Sequence, residues 1–178
     1  FSILNIFFNK KYLKKLSHFS LMSLSGIISL SLSLLFIRTL IIKNLGIDSA
    51  GFWDSLWRIS ILYFSFLTSS FKFYILPTFS TLKKNIQIKK EVFKIWKITL
   101  PTIILITAGI FIFKDFIIRI LFTPEFLMIK SIILFQLLGD VIRIHSWTLG
   151  NLLIAKSKTI IFITLQIIWG LVFSGLSL

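Results

Sequence analysis

Five apolar runs set the pattern of this chain, approximately Ser17 to Ile42, Phe52 to Ser80, Ile98 to Phe113, Ile129 to Ala155 and Thr159 to Leu178. Each approaches the ~20 residues that an α-helix needs to cross a hydrocarbon core of ~30 Å. The third is short unless Phe116 to Phe122, beyond Lys114 and Asp115, carries it to about residue 122 or lies in the membrane interface. The pattern predicts an all-α, polytopic transmembrane helix bundle of about five spans, forming a single domain over residues 1–178. The segments between the runs are too short to hold a folded domain outside the bilayer.

Composition sharpens this picture. The chain is 56% hydrophobic with a mean hydropathy of +0.95, against about 45–50% apolar residues in ordinary soluble domains. Cysteine is absent, which excludes disulfides and thiolate metal sites. His18 and His145 cannot make a metal site without carboxylates, so no metal or other cofactor is expected. The formal charge is +14, from sixteen lysines and four arginines against six acids. The lysines bunch at the ends of the apolar runs, which points to cytoplasmic anchoring in a lipid bilayer and away from nucleic acid.

Lys10, Lys11, Lys14 and Lys15 precede the first run, Lys83, Lys84, Lys89, Lys90, Lys94 and Lys97 separate the second from the third, and Lys156 and Lys158 separate the fourth from the fifth. All three groups fall on one side of the membrane, and the positive-inside bias makes that side cytoplasmic. The opposite loops are poorer in cations and carry Asp48, Asp115 and Glu125. The N-terminus is thus expected inside and the C-terminus outside. The chain starts at Phe1 with no initiator Met and no charged leader region, which suggests a fragment or a truncated product.

Charges inside the runs are the candidate chemistry, because each costs ~2.5–3.5 kcal/mol at the centre of a spanning helix. Asp54 and Arg58 stand four apart with the acid first, the favourable order for a helical ion pair, and Trp53 and Trp57 flank them as interfacial aromatics. Arg58 and Lys72 are fourteen positions apart, about 21 Å along a helix axis and ~40° in azimuth, hence on one face. Such a face reads either as snorkelling anchors or as a ladder for an anionic head group. Asp140 and Arg143 are three apart and close enough to pair, with His145 beside them. They read either as a buried ion pair joining two helices or as a cavity-facing Arg for phosphate with an Asp that orients it. Gly139 and Gly150 offer small positions for close helix approach. Pro77 is expected near the inner end of the second span and Pro101 in the first turns of the third, where a missing N–H costs least. No GxSxG, HExxH or phosphate-loop motif occurs.

The order RTLIIKNLGIDSAGFWDSLWRIS, YFSFLTSSFKFYILPTFSTLKK, KITLP, KDFIIRILF, QLLGDVIRI and LLIAKSK resembles the second half of the Wzx polysaccharide flippases. Within the multidrug, oligosaccharidyl-lipid and polysaccharide exporter superfamily, the branch it resembles is that of the enterobacterial common antigen lipid III flippases. The resemblance runs from about Ser17 to Gln166. It implies most of one lobe of a two-lobed helical exporter in a bacterial inner membrane. Such an exporter turns an undecaprenyl-pyrophosphate-linked oligosaccharide from the cytoplasmic to the periplasmic leaflet, here together with a missing N-terminal lobe or a partner chain. The family's aromatic and basic stretch falls on Trp53, Trp57, Arg58, Tyr63 and Lys72, and its second motif on Gln136, Gly139, Asp140 and Arg143. Lys72 places a charge where such proteins usually have a small hydroxyl or apolar residue. The substrate-binding residues expected on this basis are Arg58, Lys72, Arg143 and Asp140, supported by Asp54, Trp53, Trp57 and His145. Alternative readings are a membrane enzyme of polysaccharide polymerisation or ligation, an exporter of small molecules, and a non-functional remnant.

Overall fold

In the computed structural model, residues 10–175 are described, and all their regular structure is helical. The side chains of Lys10, Lys11, Lys14 and Lys15, the first of the three lysine groups, lie outside that description, as do Phe1 and Leu178. The helices are α1 (Lys10–Leu45), α2 (Ile47–Thr81), α3 (Asn85–Ile112), α4 (Lys114–Leu121), a 3-10 segment (Pro124–Ser131), α5 (Ile133–Ala155) and α6 (Thr159–Gly175). Helix α5 packs between α2 and α3, while α1 packs against α6 and against α2.

Glycine makes the first corner. Gly46 holds φ at +88°, a conformation that costs an L-residue its Cβ clearance, so α1 stops and α2 starts one residue later. The next corner is the extended link from Leu82 to Lys84. Lys156, in the turn between α5 and α6, donates its ammonium to the carbonyl of Leu82. Two of the three lysine groups that were expected on one side of the membrane are thereby neighbours in space.

At the other end of α2, Phe52, Phe122 and Phe126 form a chain of ring contacts at 5.2 Å each. Leu56, Ile118, Ile129, Ile133 and Leu137 form the core below them. Lys130 pairs with Asp115 at 2.9 Å, and that hydrogen bond holds the Asp115 carboxyl below its usual range. The Phe116 to Phe122 segment is not continuous with the third helix, which ends at Ile112; α4 is a separate eight-residue helix.

The third helix also starts earlier than its hydropathy suggests, at Asn85 and not near Ile98. Its buried stripe of Val92, Ile95, Thr99, Ile103 and Thr107 runs unbroken through the lysine-rich part at helical spacing, and Lys and Glu are good helix formers. A window that averages hydropathy sees the lysines but not the face they leave free. Pro101 therefore lies in the body of α3 and not in its first turns, whereas Pro77 falls close to the end of α2 as expected.

Much of the outer surface is apolar, with Phe73 85%, Ile160 81% and Phe66 76% exposed. Acyl chains, not water, satisfy such a surface. Helices α1, α2 and α3 are long and apolar enough to cross a membrane, and α6 is a shorter apolar helix. In α5 the apolar sequence is interrupted by Asp140, Arg143, His145 and Asn151. Asp140 and Asn151 are buried on the one face of α5 that meets the rest of the bundle, the side where polar groups in a membrane helix are expected.

The close approach between helices comes at Gly170 and not at Gly139, around which there is open space, or at Gly150, which meets Phe162 at ordinary distance. A Cβ on Gly170 would lie 2.7 Å from the Ser29 hydroxyl, which donates to the Gln166 carbonyl at 2.7 Å. Gly170→Val is expected to separate α1 from α6 and lower the bundle's melting temperature in detergent by several degrees, corresponding to about 1–3 kcal/mol of overpacking. Gly139→Val, set in open space, is expected to leave it unchanged.

Candidate functional site

The buried face of α5 is a single stripe of Ile133, Leu137, Asp140, Ile144, Thr148 and Asn151. Asp140 stands in its middle with only 1% of its surface exposed. An isolated carboxylate there would be prohibitively desolvated, and two partners relieve it. Tyr63 of α2 donates its hydroxyl to Oδ2, and Arg143, one turn further along α5, reaches Oδ1 at 3.5 Å. The Asp140–Arg143 pair expected from the spacing is present, and Tyr63 links it to the neighbouring helix.

Aromatic faces hold the guanidinium. Its central carbon lies 4.4 Å from the ring centroid of Phe64 and 5.0 Å from that of Trp57, distances at which a cation is attracted by about 0.5–2 kcal/mol per ring. Trp57 in turn stacks on Trp53 at 6.2 Å and meets Phe173 of α6 at 6.5 Å. The Arg143 side chain keeps about a third of its surface open (33%). It has five N–H donors and a single long contact to carboxylate. The Trp57 indole N–H, buried below it, has no acceptor among the described residues. The arrangement is a planar cation fixed in orientation and only partly neutralised, a geometry suited to two oxygens of a phosphate.

The other expected site residues fall elsewhere. Asp54 does not pair with Arg58: it bonds Arg38 of α1 at 3.4 Å. Tertiary contact with α1 overrides the i,i+4 geometry, which is worth only a few tenths of a kcal/mol. Arg58 and Lys72 are both exposed on α2 and have no partner among the described residues. His145 turns toward α3, its ring against Trp96 at 4.9 Å, and takes no part in the cluster around Arg143.

Two cluster members, Tyr63 as the partner of Asp140 and Phe64 as a floor for the guanidinium, were not legible as such from sequence. The 77 positions separating Tyr63 from Asp140 carry no local signal. A second polar knot joins α2 to α3, where Tyr74 donates to Glu91 at 2.6 Å and accepts from Lys94 at 3.0 Å.

An apolar-surfaced helical bundle with its one deeply buried acid, among the described residues, turned to holding a cation is an all-α polytopic membrane protein. In sequence the chain is similar to the lipid III flippases of Escherichia coli strain K12 and Shigella flexneri, with 31% identity to each over 153 residues. The matched segment covers 86% of this chain and 37% of each relative, so the chain spans little more than a third of the length of the proteins it resembles. This agrees with the resemblance read from the motifs. No family profile and no solved structure matches the chain.

Proposed function

We propose that this chain forms most of one lobe of a transporter that turns an undecaprenyl-pyrophosphate-linked oligosaccharide across a bacterial inner membrane. Lipid III of enterobacterial common antigen and an O-antigen unit are the substrates of this kind that fit. The observation that carries the reading is the similarity over 153 residues to two lipid III flippases, transporters by name and not enzymes of polymerisation or ligation. Transport runs from the cytoplasmic to the periplasmic leaflet, with the N-terminus cytoplasmic.

The role of Arg143 follows from its surroundings. Asp140 and the two rings fix the guanidinium plane before the substrate arrives, so little ordering entropy is lost when a pyrophosphate binds. Arg58 and Lys72, unpaired on one exposed face of α2, extend that cationic surface along the direction of travel. A second lobe, or a partner chain, faces it and completes the cavity, and rocking of one lobe against the other exposes the substrate alternately to the two leaflets.

The test is transport by the complete reading frame that carries this chain, reconstituted in vesicles with a fluorescent lipid-linked oligosaccharide in one leaflet. Arg143→Ala is expected to slow transfer about 10- to 100-fold, the loss of one charge-assisted phosphate contact of ~1.5–3 kcal/mol. Arg143→Lys should recover part of the rate, because it keeps charge but not the planar fork. Full transport by both Arg58→Ala and Arg143→Ala would remove these residues from the mechanism, and glycosyl transfer to an added acceptor would make the protein an enzyme.

A further inference from the structure

Helix α3 carries its unmatched charge at one end. Among the described residues Glu91 is its only acid, and Tyr74 and Lys94 already occupy it at 2.6 and 3.6 Å. Lys89, Lys90 and Lys97 are exposed and have no partner among the described residues. Together with Ile86, Phe93 and Lys94 they line a shallow groove along α3.

A second groove runs beside it, between α3 and α5. Its walls are Val92, Phe93 and Trp96 on one side and Leu149 and Leu152 on the other, with Asn85 and Lys89 also lining it. Lys89 and Phe93 belong to both grooves, so a basic face of α3 and an apolar slot share one ridge. The 28 residues of α3 give a length of about 42 Å against a hydrocarbon core of ~30 Å. With Ile112 at the far edge of the core, the first two turns of α3 stand at head-group level. Lys89 and Lys90 are then at phosphate depth, and the slot descends from that level, at Asn85 and Ile88, to Phe93 and Trp96 at the edge of the acyl region.

We propose that this double groove seats an anionic glycerophospholipid of the surrounding leaflet. Its phosphate lies on Lys89 and Lys90, and Lys97, two turns deeper, snorkels back toward it. One acyl chain follows the slot between α3 and α5. The occupant must be an anion because three lysines lack counter-ions, and it must be an amphiphile because the same ridge borders a wall of Val, Phe, Trp and Leu. A free phosphate would leave that wall unfilled, and a neutral lipid would leave the charge unmatched. The seat lies on the α3–α5 side of the bundle and does not use Arg143, so it does not depend on the transport reading.

The experiment is native mass spectrometry of the full chain, delipidated and titrated with phosphatidylglycerol or with phosphatidylcholine of the same acyl chains. We expect phosphatidylglycerol to be retained at least tenfold more tightly. Lys89→Gln, Lys90→Gln and Lys97→Gln combined should abolish the preference, at roughly fivefold per lysine. The equally discharged Lys43→Gln, Lys114→Gln, Arg119→Gln variant should keep it. Leu149→Trp, which fills the slot, should weaken retention while leaving the lysines in place. Equal losses in the two discharged variants, or none in the first, would overturn the proposal. So would full retention by Leu149→Trp, or displacement of phosphatidylglycerol by equimolar undecaprenyl phosphate, which would give the seat to the transported lipid.

Discussion

Asp140→Leu is expected to destabilise the bundle by about 2–3 kcal/mol, measured by unfolding in detergent or bicelles. The substitution fits the apolar stripe of α5 but strips two groups of their partner. The Tyr63 hydroxyl loses its acceptor, and a buried donor left unsatisfied costs ~1–3 kcal/mol. Arg143 loses its only carboxylate, but one third of its side chain is exposed, so its share falls well short of the ~3–5 kcal/mol of a fully buried broken pair.

Within a bilayer single polar contacts average only ~0.6 kcal/mol, and the larger figure here rests on Asp140 serving two helices at once. Asp140→Asn, which keeps an acceptor for Tyr63, should cost about 1 kcal/mol. Combining Asp140→Leu with Tyr63→Phe and Arg143→Leu should recover most of the loss, since apolar replacement of a complete buried ionic cluster is often neutral. A Leu variant as stable as the parent, or a triple variant less stable than Asp140→Leu alone, would show that the cluster does not join α2 to α5.

Phe79→Ala is expected to cost about 2–3 kcal/mol at the other end of α2. Phe79 and Ile75 are fully buried with Val92 and Ile95, and Trp96, Trp147 and Leu152 pack against them. In water Phe→Ala in a core costs ~3–5 kcal/mol, the sum of a transfer term and a cavity term. Here the transfer term shrinks, because the side chain leaves protein for lipid and not for water, and the lost van der Waals contacts remain. Phe73, six positions earlier and 85% exposed, provides the control: Phe73→Ala should change stability by less than ~0.5 kcal/mol. Thermal unfolding followed by the fluorescence of Trp96 and Trp147 distinguishes the two, and equal effects would refute the assignment of inside and outside on α2.

The candidate site was legible in unequal parts. Asp140 and Arg143 pair as their spacing allows, because one helical turn separates them and Tyr63 takes only the other carboxylate oxygen. Asp54 and Arg58 have equally good spacing and do not pair, because Arg38 of α1 reaches the carboxylate instead. Local geometry fixes which residues can meet and not which will, when the local term is only ~0.2–0.5 kcal/mol. Pro101 was misplaced for a related reason: hydropathy locates the apolar part of a helix, while the helix itself extends as far as one face stays buried.

By itself the sequence determined that this is a helical membrane protein, where most of its helices lie and which charges stand within the apolar runs. Those features follow from backbone hydrogen bonding in lipid and from hydrophobic length, both local properties. Only the tertiary structure decided that α5 packs against both α2 and α3, that Tyr63 secures Asp140, and that Arg143 lies on Trp57 and Phe64. It also decided that Gly170, not Gly139 or Gly150, is the glycine against which a neighbouring helix packs tightly. Each of these depends on contacts between residues far apart in the chain, where the energy comes from shape and partner and no periodicity records it.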